Sequence, residues 1–308
     1  MRALIFGGSG TVGANLVRRL LADKCDVAVA SRNASRAIRL AGLSDVTKLD
    51  IDCRDADAVL AAVSAEQPDT IFHLVSSRFG APTTTAQDHM AINTLGTLNV
   101  LEAARRCAVA RVVLTGSAAE YGTGERFHES HTPQPANVYG ATKLCGTILG
   151  ETYQRGHGLS LINLRLFSPF GPWERAQRLI PSVILAALSD QPVKIGDDTP
   201  ERDFVYLEDV ADALVVAAAS DAVGTVNIAS GQGTSVRTTV ETILELMQSR
   251  VPVECSGITR ENEILKMSGD IETAQRQLGW RPRHDLRAGL EKTIAWFSAH
   301  TALAPQLD

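Results

Sequence analysis

Cysteine is scarce here: Cys25, Cys53, Cys107, Cys145 and Cys255 are odd in number, scattered, and form no C-x-x-C. That pattern gives neither a disulfide framework nor a zinc-ligand spacing, so no metal is expected and a reducing cytoplasm is the expected compartment. No run of about 18 apolar residues occurs, so no membrane-spanning helix is expected. No charged segment with an apolar core precedes the first strand-like run, so export is not expected either. A strong charge excess is also missing, since 30 Lys and Arg stand against 35 Asp and Glu, a net −5 at pH 7. Such a balance offers no general attraction to nucleic acid or to an anionic membrane. Internal repeats, low-complexity tracts and long polar linkers are absent as well.

What is present is an ordinary globular composition: 308 residues, 44% hydrophobic and 21% charged, enough for one large domain or two modest ones. In the first half, apolar runs at "RALIF", "DVAVA", "VTKLDI", "TIFHLV" and "RVVLT" alternate with helix-like stretches at 13–23, 55–65 and 87–107. Runs apolar on both faces, joined by helix-length crossovers, predict an α/β fold with a doubly wound parallel sheet. Beyond residue 166 Pro169, Pro172, Pro181, Pro192 and Pro200 break up short elements, before a last helical stretch at 286–299. The expected division is a dinucleotide-binding (Rossmann) domain over 1–166, to which 204–230 returns, and a smaller, partly interleaved substrate domain over 167–203 and 231–308. A cleft is expected between the two.

The stretch "FGGSGTVGANLVRRLLA" follows the first strand and carries Gly7, Gly10 and Gly13 in a G-x-x-G-x-x-G spacing. A glycine turn between strand and helix lets backbone N–H groups approach a pyrophosphate, with the positive helix N-terminus behind them. Gly7, Gly10, Thr11, Val12 and Gly13 are therefore expected cofactor contacts, although a tight turn without ligand also selects glycine. At the end of the second strand, Ser31 and Arg32 stand where NAD-binding folds place an acidic residue on the ribose 2′-hydroxyl, and Arg36 follows one turn later. A missing acid and a present arginine favour NADP, with NAD as the alternative. Asp52 and Cys53, after the third strand, are expected at the adenine edge, where Asp50 would serve nearly as well. Leu74, closing the fourth strand, is a further expected contact, and His73 beside it is expected to be packed and hydrogen-bonded.

The chemistry reads from "SAAEYG" and "YGATK". Tyr139 and Lys143 are spaced i, i+4 at the start of an apolar-periodic helix and so share a face. A tyrosine with a pKa of about 10 is a poor acid or base at neutral pH, and an adjacent ammonium brings phenolate into range. Only six of the 30 basic residues are lysine, which makes this placement specific. Ser117 lies just past the fifth strand at the carboxyl edge of the sheet, where it can bond a reacting oxygen; alone it would read as a turn or cap residue.

Together with "INTLGTLNVLEAAR", "LRLFSPFGP", "RDFVYLEDVADAL", "NIASG" and "GDIETAQRQLGWRP", these segments resemble, over nearly the whole chain, the extended short-chain dehydrogenase/reductases. The resemblance is to their NAD-dependent epimerase/dehydratase group acting on nucleotide sugars. It implies Ser117 polarising the substrate oxygen, Tyr139 exchanging its proton, and Lys143 lowering the tyrosine pKa while holding the nicotinamide ribose. It places Asn93 near the active-site helix, among the cofactor contacts, and implies a homodimer built on helices around 87–107 and 136–156. Dehydratases of the group resemble T-D-E where this chain has Ser117, Ala118 and Ala119, so simple 4,6-dehydration is not expected. Ser168 stands where many relatives have Asn, and "GSAAEYG" is similar to reductases of 4-keto-6-deoxy nucleotide sugars. For a substrate diphosphate, Arg202 and Arg260 are the expected cations, with Arg175 or Arg178 as further candidates. Three readings stay open: an NADP-dependent ketoreductase acting at C4, a 4-epimerase holding NAD tightly, and a non-catalytic dinucleotide sensor.

Overall fold

A computed structural model of the chain describes residues 1–77, 84–259 and 263–307. The strands of the first part are β1 (Arg2–Phe6), β2 (Asp26–Ser31), β3 (Val46–Asp50), β4 (Thr70–His73), β5 (Arg111–Ser117), β6 (Gly124–Phe127) and β7 (Leu161–Leu166). Those of the second are β8 (Ser168–Phe170), β9 (Val193–Ile195), β10 (Glu201–Tyr206), β11 (Gly224–Ile228), β12 (Gly233–Ser235), β13 (Val253–Cys255) and β14 (Met267–Gly269). Seven of them form one parallel sheet in the order β11-β7-β5-β4-β1-β2-β3. The chain order reverses between β1 and β4, and ligands of such sheets bind above that switch point.

The apolar runs explain the sheet. In β1, Ala3 and Ile5 enter one core while Leu4 and Phe6 enter the other, and β2 divides Val27 and Val29 from Ala28 and Ala30 in the same way. A strand buried on both faces needs helices on both. One layer contains α1 (Thr11–Ala22), through Leu16, Val17 and Leu20. The opposite layer contains α2 (Ala56–Glu66), through Val59 and Val63. Each such aliphatic side chain contributes roughly 1.5–3 kcal/mol by leaving water.

Over 86–106 the expected helix forms as three consecutive pieces: α3 (Ala86–His89), a π-helical turn Met90–Leu95, and α4 (Gly96–Arg106). Then follow α5 (Val138–His157), α6 (Leu179–Leu188), α7 (Leu207–Ala219), α8 (Val236–Leu246), α9 (Glu272–Leu278) and α10 (Leu286–Ala299). Asn137 caps α5 by accepting the Gly140 N–H at 2.9 Å, and Gly158, at φ 66°, ends it. A third core, with Phe170, Ile184, Tyr206, Ile243, Leu290 and Phe297, joins α6, α8 and α10 to the short strands β8 and β10.

Candidate active site

A cleft of about 980 Å³ opens above the switch point and contains most of the residues singled out from sequence. At its floor the three glycines have different physical reasons. Gly7 has φ 85°, and a Cβ there would lie 2.9 Å from the backbone of Leu74 and Val75. A Cβ on Gly13 would come within 2.5 Å of Gly7 O and Gly8 Cα, so glycine there brings α1 close against the turn. A Cβ on Gly10 would meet only Gly7 O, at 3.3 Å, leaving the rest of that side open. Gly10 is the N-cap of α1, with no side-chain cap and no acidic residue in the first turn. Exposed amides, a positive helix end and space over Gly10 fit a dinucleotide pyrophosphate.

At one end of the cleft lie Ser31, Arg32, Arg36, Asp52, Cys53 and Leu74. Ser31 Oγ accepts the Ser9 N–H at 3.4 Å, tying β2 to the glycine turn. Both nearby carboxylates are engaged. Asp50 accepts from Ser35 N at 2.9 Å and Ser35 Oγ at 2.5 Å, while Asp52 is held by Arg54 at 2.6 Å. Burial pushes the Cys53 thiol up to about 11, which makes it a packing group rather than a nucleophile.

At the other end the side chains of Ser117 and Tyr139 line the cleft. Ser117 is also a cap, its Oγ accepting the Ala119 N–H at 3.2 Å, so the turn reading and the site reading both hold. Tyr139 Oη lies 3.1 Å from Ser76 Oγ, a neighbour that sequence reasoning missed although "HLVSS" follows the fourth strand directly. Burial raises the Tyr139 pKa, and hydrogen bonds from Ser76 and Ser117 oppose the shift. Lys143 lies buried one turn behind, donating from Nζ to the Thr115 carbonyl at 2.6 Å. Burial lowers its pKa to about 8, against the pull of Glu120.

Asn93, expected among the cofactor contacts, is buried at 1% exposure. Its amide donates to Ser77 Oγ at 2.8 Å and Thr142 Oγ1 at 2.9 Å, and its carbonyl oxygen accepts Ser77 N–H at 2.8 Å. It therefore braces the segment carrying Ser76 against α5. His73 is packed edge-on against Phe6 and bonded to Thr97 Oγ1 at 3.0 Å, and burial lowers its pKa to about 3.

Ser168, Arg175, Arg178 and Arg202 line the cleft on the side of the third core, with Arg202 paired to Glu263. Arg260 lies outside the described residues. Another wall was not foreseen: Arg39 donates from Nε to the Trp173 carbonyl at 2.8 Å and from Nη2 to the Leu307 carbonyl. Gln306 and Leu307 thereby line the cleft, joined to it by contacts across 134 and 268 residues of sequence. No local motif carries that signal.

A glycine-turn parallel sheet with Ser117, Tyr139 and Lys143 gathered at its carboxyl edge defines a short-chain dehydrogenase/reductase of the extended kind. The sequence profile of the NAD dependent epimerase/dehydratase family matches residues 3–229, and the chain belongs to that family. A UDP-glucose 4-epimerase of Corynebacterium glutamicum is 30% identical over 97% of this chain and 96% of its own. A dTDP-glucose 4,6-dehydratase of Neisseria meningitidis serogroup B is 27% identical over 96% of this chain and 93% of its own. Among solved structures, the Thermus thermophilus UDP-glucose 4-epimerase in complex with NAD superimposes with a TM-score of 0.88 at 26% identity. That match covers 97% of this chain and 99% of the other.

Proposed function

We propose that the protein is an NADP-dependent reductase that delivers hydride to the C4 keto carbon of a 6-deoxy sugar carried on a nucleoside diphosphate. The carrying observation is the ribose end of the cleft. Arg32 and Arg36 line it, while Asp50 and Asp52 are engaged by Ser35 and Arg54, an arrangement suited to a 2′-phosphate. When bound, the reduced nicotinamide supplies the hydride. Ser117 bonds the keto oxygen, and Tyr139 gives it the phenolic proton. A tyrosine pKa raised by burial leaves that proton in place at rest, as reduction requires. Lys143, behind the phenol, stabilises the phenolate left afterwards. Residues 1–166 and 204–230 hold the cofactor, while Ser168, Arg175, Arg178, Arg202 and Arg260, from 167–203 and 231–308, serve the sugar and its diphosphate.

The 4,6-dehydration named for the Neisseria relative finds no carboxyl pair here because Ala118 and Ala119 follow Ser117. Epimerisation at C4 is the second reading, favoured by the 30% identical epimerase and by the neighbour solved with NAD. A titration with both cofactors separates the two. Arg32→Ala should weaken NADP about 10- to 150-fold, or roughly 1.5–3 kcal/mol, and NAD far less. Equal losses remove Arg32 as the phosphate reader. Tight retention of NAD with C4 epimers interconverted and no NADPH consumed would install the epimerase reading.

The assembly we propose is a homodimer that pairs 86–106 and α5 with their copies. Met90, Leu95 and Ile148 on these helices are 47%, 50% and 51% exposed, a costly exposure for a lone chain. Light scattering at micromolar concentration should return twice the chain mass of 33.0 kDa, and a monomeric mass would remove the dimer. Five free cysteines suit a reducing cytoplasm, where we place the enzyme.

A further inference from the structure

Beneath the reacting groups lies a charged pair that the reaction as described does not use. Glu120 ends the short helical turn Ala118–Glu120 that follows β5, and it is 0% exposed. Its carboxylate folds back under the site. Oε1 accepts the Ser117 N–H at 2.8 Å, and Oε2 accepts Arg165 Nε at 2.7 Å and Thr147 Oγ1 at 3.0 Å. A Cβ on Gly116 would lie 2.7 Å from Oε1, so glycine at 116 makes room for this fold-back. Arg165, itself 3% exposed, donates from Nη1 to Tyr121 Oη at 2.8 Å, and Tyr121 donates onward to Asn227 Oδ1 at 2.9 Å. Thr147 sits one turn beyond Lys143 on α5.

Replacing a buried ion pair by apolar groups is often neutral or stabilising, so its presence under a site calls for a reason besides stability. The groups touching Glu120 supply one. It holds the main chain of the serine and the helix of the tyrosine and lysine. Lys143 faces Thr115 O from β5, the neutral His73 from β4, Tyr139 from its own helix, and Glu120 from the turn; Arg165, from β7, lies beyond Glu120. Tyr139 faces Ser76, Ser117, Glu120, Arg178 and, edge-on at 5.8 Å, His89. Glu120 is the only negative group among those facing the lysine from the described residues.

We propose that Glu120 is a positioning residue for this reaction: clamped by Arg165 and Thr147, it fixes Ser117 through the backbone and turns a carboxylate toward the Lys143 ammonium. The role rests on Ser117, Tyr139 and Lys143 being the reacting set. Burial lowers the Lys143 pKa and Glu120 opposes that; Glu120→Gln keeps an acceptor for the Ser117 N–H and removes the negative charge, while its amide NH2 takes the place of Oε2 before Arg165 Nε and Thr147 Oγ1.

The decisive measurement needs no substrate. With nitrogen-15-labelled lysine there are six Nζ signals to resolve, and Lys143→Arg assigns the one that matters. In Glu120→Gln the Lys143 midpoint should fall by about one pH unit from its wild-type value, a tenfold loss of proton affinity, while Glu120→Asp should stay close to wild type. Turnover of Glu120→Gln should then be about fivefold lower than wild type at pH 8 and nearly equal at pH 6, with KM for the sugar unchanged. Should Glu120→Gln fail to fold, Glu120→Gln with Arg165→Met removes both buried charges, and because Arg165 lies beyond Glu120 the midpoint must still fall, by less than in the single variant. An unchanged midpoint in the folded variant overturns the proposal. A wild type that consumes no NADPH with any keto sugar overturns the reductase reading instead, and the midpoint still judges Glu120.

Discussion

Tyr139→Phe is expected to lower turnover by at least about 100-fold, or roughly 2.7 kcal/mol of barrier, while leaving dinucleotide binding close to wild type. The substitution keeps the ring and its edge-on contact with His89 and removes only the hydroxyl that meets Ser76. Single-turnover NADPH oxidation together with a cofactor titration separates the two effects. Wild-type turnover would take Tyr139 out of the chemistry, and a matching loss of cofactor affinity would make its role structural.

Gly10→Val is expected to weaken dinucleotide binding at least about 100-fold with little effect on folding. The backbone of Gly10, at φ −78° and ψ 175°, suits a β-branched residue, so the variant carries no conformational strain. Its side chain enters the open side over Gly7 O, where the pyrophosphate fits. Gly13→Ala makes the control, because its Cβ meets Gly7 and Gly8 at 2.5 Å and α1 has to shift. That variant should lose about 1–3 kcal/mol of stability, seen as a lower Tm. Normal NADP binding by Gly10→Val would separate the glycine turn from the cofactor.

The parts legible in the sequence are those that depend on local pattern. β1, β2, β4 and β5 are largely apolar runs, β3 forms within the anticipated "VTKLDI" although Thr47, Lys48 and Asp50 interrupt it, and helix 286–299 forms with those bounds. β7 lies outside the five anticipated strands because Asn163 and Arg165 interrupt its pattern; both are buried, on Thr147 and Glu120 respectively. The glycine turn and the i, i+4 pair of Tyr139 and Lys143 were visible because their geometry is set within a few residues. Glu120 was legible only as a letter in "EYG", since its partner Arg165 is 45 residues away. Asn93 was placed near the active-site helix from its motif, while its partners Ser77 and Thr142 lie 16 and 49 residues away and no local pattern shows them.

The π-helical turn limits how the chain can vary in length. In a π-helical turn each bond reaches one residue further than in an α-helix, so Met90–Leu95 works as a single-residue insertion into the helix from 86 to 106. Deleting one residue there would restore a regular helix and rotate everything before it by roughly 100° relative to α4. Asn93 would swing off Ser77 and Thr142, and the Ser76 segment would lose its brace against α5. A gap of one in an aligned sequence at this point therefore marks a chain whose site is braced by other means, even when its serine, tyrosine and lysine are all in place.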